Sequence, residues 1–297
     1  MRSLQCVSAS GSRRMAARLH KKTHPNYKKR IAVVLLAVLS IGLLAYPFIR
    51  NTIATHQQAQ VIDGYNQAAG QLSEAQIQQE LEAAQKYNAL LAQGTVPPSG
   101  GTSTIPAYND LLNPQKDGVM GSLTIPKINI SLPIYHGTSE TVLQKGAGHM
   151  EGTSLPVGGA STHAVLTGHS GLPSAELFTN LDKLVVGDTF TIHILNKTLQ
   201  YKVDQIRTVL PDDTSDIQIE DGKDYVTLLT CTPYGINDHR LLVRGIRTSD
   251  AVPEQAADPD ANQIKLSFAE TVLLCVMFLA VFAGYFISLR MLRDDQP

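Results

Sequence analysis

The sequence predicts a mainly β domain held outside a membrane between two apolar spans, with a helical approach ahead of it. Three observations predict it. Charge-free runs of 19 residues occupy 31–49 and 271–289. Residues 56–93 repeat apolar positions at helical spacing. Between 113 and 248, seven β-like runs separated by Pro and Gly crowd together, which suggests seven or eight strands closed into a barrel or stacked as a sandwich.

The spans come first. The 297-residue chain has a formal net charge of -1, which hides an asymmetry. Residues 1–30 carry nine Lys or Arg and no acid, a basic tail. Between 50 and 265, 14 basic residues face 23 acidic ones. So acidic a middle excludes a nucleic-acid groove there, because phosphate binding needs basic surface. At ~1.5 Å per residue the 31–49 run reaches roughly 28 Å, about a bilayer core. Lys28, Lys29 and Arg30 precede it, and Arg290 and Arg293 follow a second span at 266–289. Basic flanks on the same side place both termini (1–30 and 290–297) in the cytoplasm and 50–265 outside the cell. The length of the first run, with no small-x-small site at Tyr46–Arg50, favours an uncleaved anchor over a signal peptide. The expectation is a two-pass protein of the cell membrane.

After the anchor, 50–112 reads as an external helical segment. Val61, Tyr65, Ala68 and Leu72, then Ile77, Leu81 and Ala84, give two helices broken near Gly70. Residues 94–106, rich in Pro, Gly, Ser and Thr, read as a loop. The folded domain covers 113–248, with strands at 123–125, 128–134, 163–167, 189–195, 199–209, 225–230 and 241–246. A short helix is expected over 174–182 with Ser174 as its N-cap. Residues 249–265, with Pro253 and Pro259, form a linker to the second span.

The three cysteines fall in three compartments: Cys6 in the tail, Cys275 in the second span, Cys231 alone outside. Cys231 therefore has no disulfide partner in its domain and is either a small buried apolar residue or a reactive thiol. Other chemistries drop out. His149-Met150-Glu151 has the form of a zinc deaminase, but no P-C-x-x-C follows. There is no H-E-x-x-H and no paired spacing among the nine His, so no metal site is expected. Gly146-Ala147-Gly148 lacks the third Gly of a dinucleotide loop, and Gly168-His169-Ser170-Gly171 is not a G-x-S-x-G elbow.

Cys231 stands at the end of the 225–230 strand, before a turn and a new strand from Arg240. If the two pair as a hairpin, Arg240 starts near Cys231, while Arg244 lies about 13 Å further along. Arg240 is the better partner for a group reacting at sulfur, a surface ion pair being its alternative role. A nucleophilic thiol also needs a proton carrier. Of the external histidines, His163 and His193 sit within strands, whereas His169 follows a strand end on a turn, a placement that suits catalysis. His239, beside Arg240, is the runner-up.

These residues resemble the sortases. Thr227-Leu228-Leu229-Thr230-Cys231 is similar to their T-L-x-T-C signature, and Leu166-Thr167-Gly168-His169 to their histidine turn. Arg240 matches their arginine, in the same order along the chain. Thr232-Pro233-Tyr234-Gly235-Ile236-Asn237 and the two spans resemble the class C, pilus-building branch. The resemblance runs from about Leu111 to Arg247. It implies a closed sortase-type β-barrel and a cysteine transpeptidase with catalytic Cys231, His169 and Arg240. Leu229 and Thr230 fall to substrate binding, and no metal or organic cofactor is needed. The implied reaction cleaves a Leu-Pro-x-Thr-Gly-type sorting signal between Thr and Gly through a Cys thioester. The acyl group then passes to a Lys amine of the next pilin. Partners would be pilins or surface proteins with a C-terminal sorting signal.

One feature departs from the pattern: no Asp-Pro-aromatic triplet occurs in 94–118, where pilus-type relatives carry a lid. A lid over 94–108, plugging the cleft with Ile105-Pro106 or Tyr108, is still expected. Competing readings are a housekeeping sortase with a cell-wall-precursor amine as acceptor, a membrane-tethered cysteine hydrolase, and a surface binding module with a structural Cys.

Overall fold

The structure is a computed structural model that describes residues 27–95, 107–172 and 175–248. Most of the basic tail, most of the expected lid, the 249–265 linker, the second span at 266–289 and the 290–297 tail lie outside the described residues. Two compact units divide the described residues, one ending at Gly42 and one beginning at Leu43. The described part of the first is the start of helix α1, which runs unbroken over Tyr27–Gln71. That helix is long and apolar enough to cross a membrane, with Leu35, Leu36, Leu39, Leu43 and Leu44 each 60–68% exposed, which makes it a candidate membrane anchor.

In the second unit, α1 gives way to α2 (Glu74–Ala92) two residues beyond the expected break. Ser73 starts α2 with a reciprocal cap: its side chain accepts from the Gln76 N–H while the Gln76 side chain accepts from the Ser73 N–H. Ile77, Leu81, Ala84 and Asn88, spaced 4, 3 and 4, form the buried stripe of α2. Polar locks set the helices against the domain. Tyr65 Oη donates to Met120 O (2.7 Å) and accepts from the Leu195 N–H (3.0 Å). The Asn88 amide donates to Leu155 O (3.0 Å) and accepts from Leu155 N–H (2.7 Å).

The domain is a closed eight-stranded barrel, which settles the choice between barrel and sandwich. Its strands are β1 (Val119–Ile125), β2 (Ile130–His136), β3 (Ala147–His149), β4 (Thr162–Thr167), β5 (Thr189–Ile194), β6 (Lys197–Val209), β7 (Asp224–Thr232) and β8 (His239–Arg247). The order around the barrel is β1-β2-β3-β4-β7-β8-β6-β5. The β2–β3 and β4–β7 pairs are parallel and the rest antiparallel. Strand β5 alternates as expected for one buried face, with Phe190, Ile192 and Ile194 inward. Strand β1 is buried on both faces except at Thr124. Helix α3 (Glu140–Leu143) follows β2.

Tyr108, Leu111 and Leu112 anchor the segment between the helices and β1, each at most 2% exposed. Tyr108 Oη accepts from Gly137 N–H (3.1 Å) and lies 2.8 Å from His149 Nδ1. His149 Nε2 lies 2.8 Å from Ser154 O, which can only accept, so Nε2 carries the proton and Nδ1 accepts from Tyr108. The helix expected over 174–182 does not form among the described residues. There, Leu172 and Ala175 make an isolated bridge and Leu181–Lys183 a 3-10 turn. The backbone is committed elsewhere: Phe178 N–H donates to His169 O (3.0 Å). Ser174 lies outside the described residues.

Candidate active site

The half-buried thiol of Cys231, the only cysteine among the described residues, is carried by the penultimate residue of strand β7. Across the antiparallel β7–β8 ladder, Cys231 stands directly opposite Arg240. Arg240 Nη1 donates to Asn237 O (3.1 Å) and His239 O (3.0 Å). Arg244 stands four positions away, opposite Thr227. It is engaged by Asp204 (2.8 Å) and Glu220 (3.1 Å), and its guanidinium lies over the Tyr225 ring.

On the other side of β7, the parallel strand β4 brings Thr167 opposite Leu229. The turn that follows is stitched to β7 residue by residue. Gly168 N–H donates to Leu229 O (3.0 Å), Thr230 Oγ1 donates to Gly168 O (2.7 Å), and Ser170 Oγ donates to Cys231 O (2.8 Å). His169 sits between the two stitched residues, so its backbone is fixed beside the Cys231 end of β7. Gly168 is required there, because a Cβ would stand 2.7 Å from the buried Phe178 ring. Gly171 is required for two reasons: its φ is +82°, and a Cβ would meet the Tyr234 ring at 2.6 Å.

Three adjacent strands, β4, β7 and β8, thus bring His169, Cys231 and Arg240 to one end of the barrel. His169 Nε2 lies 3.1 Å from Glu140 Oε2, at the start of α3. Glu140 Oε1 in turn accepts from Gln144 Nε2 (2.9 Å). These bonds, with Gln144 the larger influence, hold the Glu140 carboxyl below its ordinary range. Sequence reading missed Glu140, whose position in a Thr-Ser-Glu stretch signals only a helix start. It also missed Ser170, which reads as an ordinary turn residue.

The other candidates are placed differently. His163 is buried in β4 between Gln218 O and Thr227 Oγ1, both at 2.8 Å, and burial pushes its pKa down. His239 stands opposite Thr232 and pairs with Asp238 (2.8 Å). Thr230 is 2% exposed with its hydroxyl spent on the His169 turn, and Leu229 is half-buried. Exposed apolar side chains follow Cys231 in the β7–β8 turn, where Tyr234 and Ile236 are 70% and 68% exposed, and Leu210, just past the Val209 that faces Arg240, is 62% exposed. A cavity of about 510 Å³ lies at the opposite end of β7, bordered by Gly158, Asp224 and Arg247, without a thiol or imidazole in its lining. No group of three or more His, Cys, Asp or Glu among the described residues could hold a metal.

Chemically, a free thiol, an imidazole on a fixed turn and a guanidinium across the ladder are the parts of an acyl-transfer site. Comparison with known proteins points the same way. A family model described as a sortase domain matches residues 123–248. Sortase C1 from Streptococcus agalactiae is 51% identical, with a TM-score of 0.60, over 64% of this chain and 99% of that one. Clostridium perfringens sortase C, solved with a C-terminal cell wall sorting motif, is 47% identical, with a TM-score of 0.56, over 64% and 99%. Bacillus subtilis sortase D is 31% identical over 46% of this chain and 67% of its own, and Streptococcus agalactiae sortase A is 27% identical over 71% and 82%. With the barrel, the motifs and whole-domain likeness to class C structures in agreement, the chain belongs to the sortase family of cysteine transpeptidases.

Proposed function

We propose that this sortase polymerises pilins, with Cys231 as nucleophile, His169 as proton carrier and Arg240 as electrostatic stabiliser. The observation that carries the reading is the placement of Cys231 opposite Arg240, with the His169 turn bonded to Thr230 and Cys231 on the other side.

The Cys231 thiolate attacks the Thr carbonyl of a Leu-Pro-x-Thr-Gly-type signal, forming a C–S bond. The tetrahedral oxyanion is stabilised by the Arg240 guanidinium, the kind of charge term that dominates such reactions. As the C–N bond breaks, His169 gives its proton to the departing Gly amine and a thioester remains. A Lys amine of the next pilin then attacks and yields its proton to His169. The sulfur leaves as thiolate, and an isopeptide bond is complete. Every electron pair and proton is accounted for by the three side chains and the two peptides.

Leu229, on the same face of β7 as Cys231, would flank the donor segment, while the buried Thr230 would serve it through its bond to the His169 turn, with Tyr234, Ile236 and Leu210 supplying apolar surface near it. The proposed organisation sets the catalytic barrel at 113–248, a helical approach and lid loop at 50–112, and a linker at 249–265. Spans at 31–49 and 266–289 keep the barrel outside the cell and leave the tails 1–30 and 290–297 inside, at a lipid bilayer.

The second reading, anchoring to a cell-wall-precursor amine, draws on the likeness to sortase A, which is weaker in identity than the likeness to sortase C1. The test uses the full-length chain in membranes with a pilin that carries a sorting signal. High-mass covalent ladders are expected from the wild type and none from Cys231→Ala. Ladders from Cys231→Ala overturn the mechanism, and product attached only to a precursor amine overturns the pilin assignment.

A further inference from the structure

We infer that Glu140 is a positioning residue for transpeptidation: its carboxylate holds His169 by Nε2 and leaves Nδ1 as the nitrogen that exchanges protons at Cys231. The inference rests on the proposed role of His169 as proton carrier.

Three observations carry it. Glu140 Oε2 is 3.1 Å from His169 Nε2, and a carboxylate can only accept, so Nε2 bears the hydrogen. The carboxylate is itself held, because its other oxygen accepts from Gln144 Nε2 at 2.9 Å, one turn further along. The His169 backbone is fixed on both sides by Gly168 and Ser170, so the freedom left to the residue is mainly that of its ring. An imidazole with one nitrogen occupied can transfer protons only through the other. Orienting a base through its far nitrogen is a general device for keeping the reacting nitrogen in one tautomer.

Among the described residues, Glu140 is the acid bonded to His169. Strand β7 presents Cys231, and β8 presents Arg240 and His239, the latter already paired with Asp238. In the segment beyond His169, the backbone N–H of the exposed Glu176 donates to Asn51 Oδ1 (2.9 Å) on α1. Glu140 is itself largely exposed, at 64% of its side chain, so its influence on the ring is a surface-strength one.

The experiment follows iodoacetamide alkylation of Cys231 in the full-length chain, read from the mass of the Cys231 peptide. It runs in four proteins: wild type, Glu140→Ala, His169→Ala and the double variant. Glu140→Ala is expected to slow alkylation about threefold when His169 is present and not at all in the His169→Ala background, because a residue acting through another loses its effect when that other is gone. With a Leu-Pro-x-Thr-Gly-type peptide and hydroxylamine as acceptor, Glu140→Ala should lower kcat about threefold to tenfold with KM unchanged. Glu140→Gln should recover most of the loss, since its amide oxygen still accepts from Nε2 and the Gln144 amide can turn to match.

Equal slowing in both backgrounds, or a rise in KM at constant kcat, overturns the positioning role. Full activity in Glu140→Ala does so too. If Cys231→Ala or His169→Ala keeps transpeptidase activity, the proposed mechanism falls instead.

Discussion

Two arginines on one strand show how residue-level surroundings separate chemistry from architecture. Arg240 uses one guanidinium nitrogen on backbone carbonyls and lies opposite the thiol, whereas Arg244 is committed to two carboxylates and an aromatic face. Arg240→Ala is therefore expected to leave the melting temperature nearly unchanged while lowering kcat by about 10²–10³, the usual cost of losing an oxyanion donor. Arg244→Ala should do the reverse, with an unchanged kcat and a loss of about 1–3 kcal/mol in stability. Steady-state kinetics and thermal melts on the two variants check the contrast, and a large kcat loss from Arg244→Ala would reverse the assignment. Much of this was readable from the sequence: one thiol, a strand on each side and a count of residues along β8 were enough to prefer Arg240. Glu140 was not readable. Its bond to His169 spans 29 positions and depends on α3 and the end of β4 meeting, which no local pattern encodes.

At the scale of elements, periodicity carried the long pieces and failed on the short ones. Helix α2 and strands such as β5 announce themselves because each buries one face repeatedly. Strand β3 has only three residues, Ala147–His149, too few for any alternation to register, and it exists because β2 and β4 offer edges on both sides. The absent 174–182 helix fails for the converse reason. Its sequence tolerates a helix, but tertiary bonds from Phe178 N–H to His169 O and from Gly171 N–H to Thr179 Oγ1 claim the segment for the site. The break between α1 and α2 shows the opposite case, where a local signal decides. The Ser73–Gln76 cap starts α2 in the place that the apolar spacing only approximated. The docking of that helix is specific too, because the buried Asn88 amide matches both backbone groups of Leu155. Asn88→Ala leaves the Leu155 N–H unpaired under α2, while Leu155 O keeps its bond from the Val157 N–H (2.8 Å), so a loss of about 1–3 kcal/mol is expected from the orphaned donor. Chemical denaturation of the two proteins measures it, and equal midpoints would show that α2 docks by its apolar stripe alone.

Across the whole molecule, buried histidines give the fold a pH dependence separable from that of its acids. His136, His149 and His163 are each buried, and in each burial is the leading cause that lowers the pKa. For His149 the value falls from 6.5 to about 4. A histidine whose folded pKa is depressed binds its proton more readily in the unfolded chain. Its contribution is therefore complete above pH 6.5 and is lost as pH falls toward 4. For His149 that amounts to about 3 kcal/mol, converted at 1.36 kcal/mol per pH unit. The acids with depressed pKa values, Asp188, Asp213, Asp238 and Glu140, act in the same direction but only from about pH 5 downward. The interval from pH 6.5 to about 5 thus reports the histidines. Thermal melts of the full-length protein should be level above pH 7 and fall steadily through that interval. His149→Gln should start less stable and show a shallower fall, because one of the three titrations is gone. Its amide can still meet Tyr108 Oη or Ser154 O, so the variant has a route to folding. A wild-type melting temperature level down to pH 4 would mean that the buried rings are open to water in solution. The segment that Tyr108 pins against β3 would then be released, and with it the packing that holds the helical approach to the barrel.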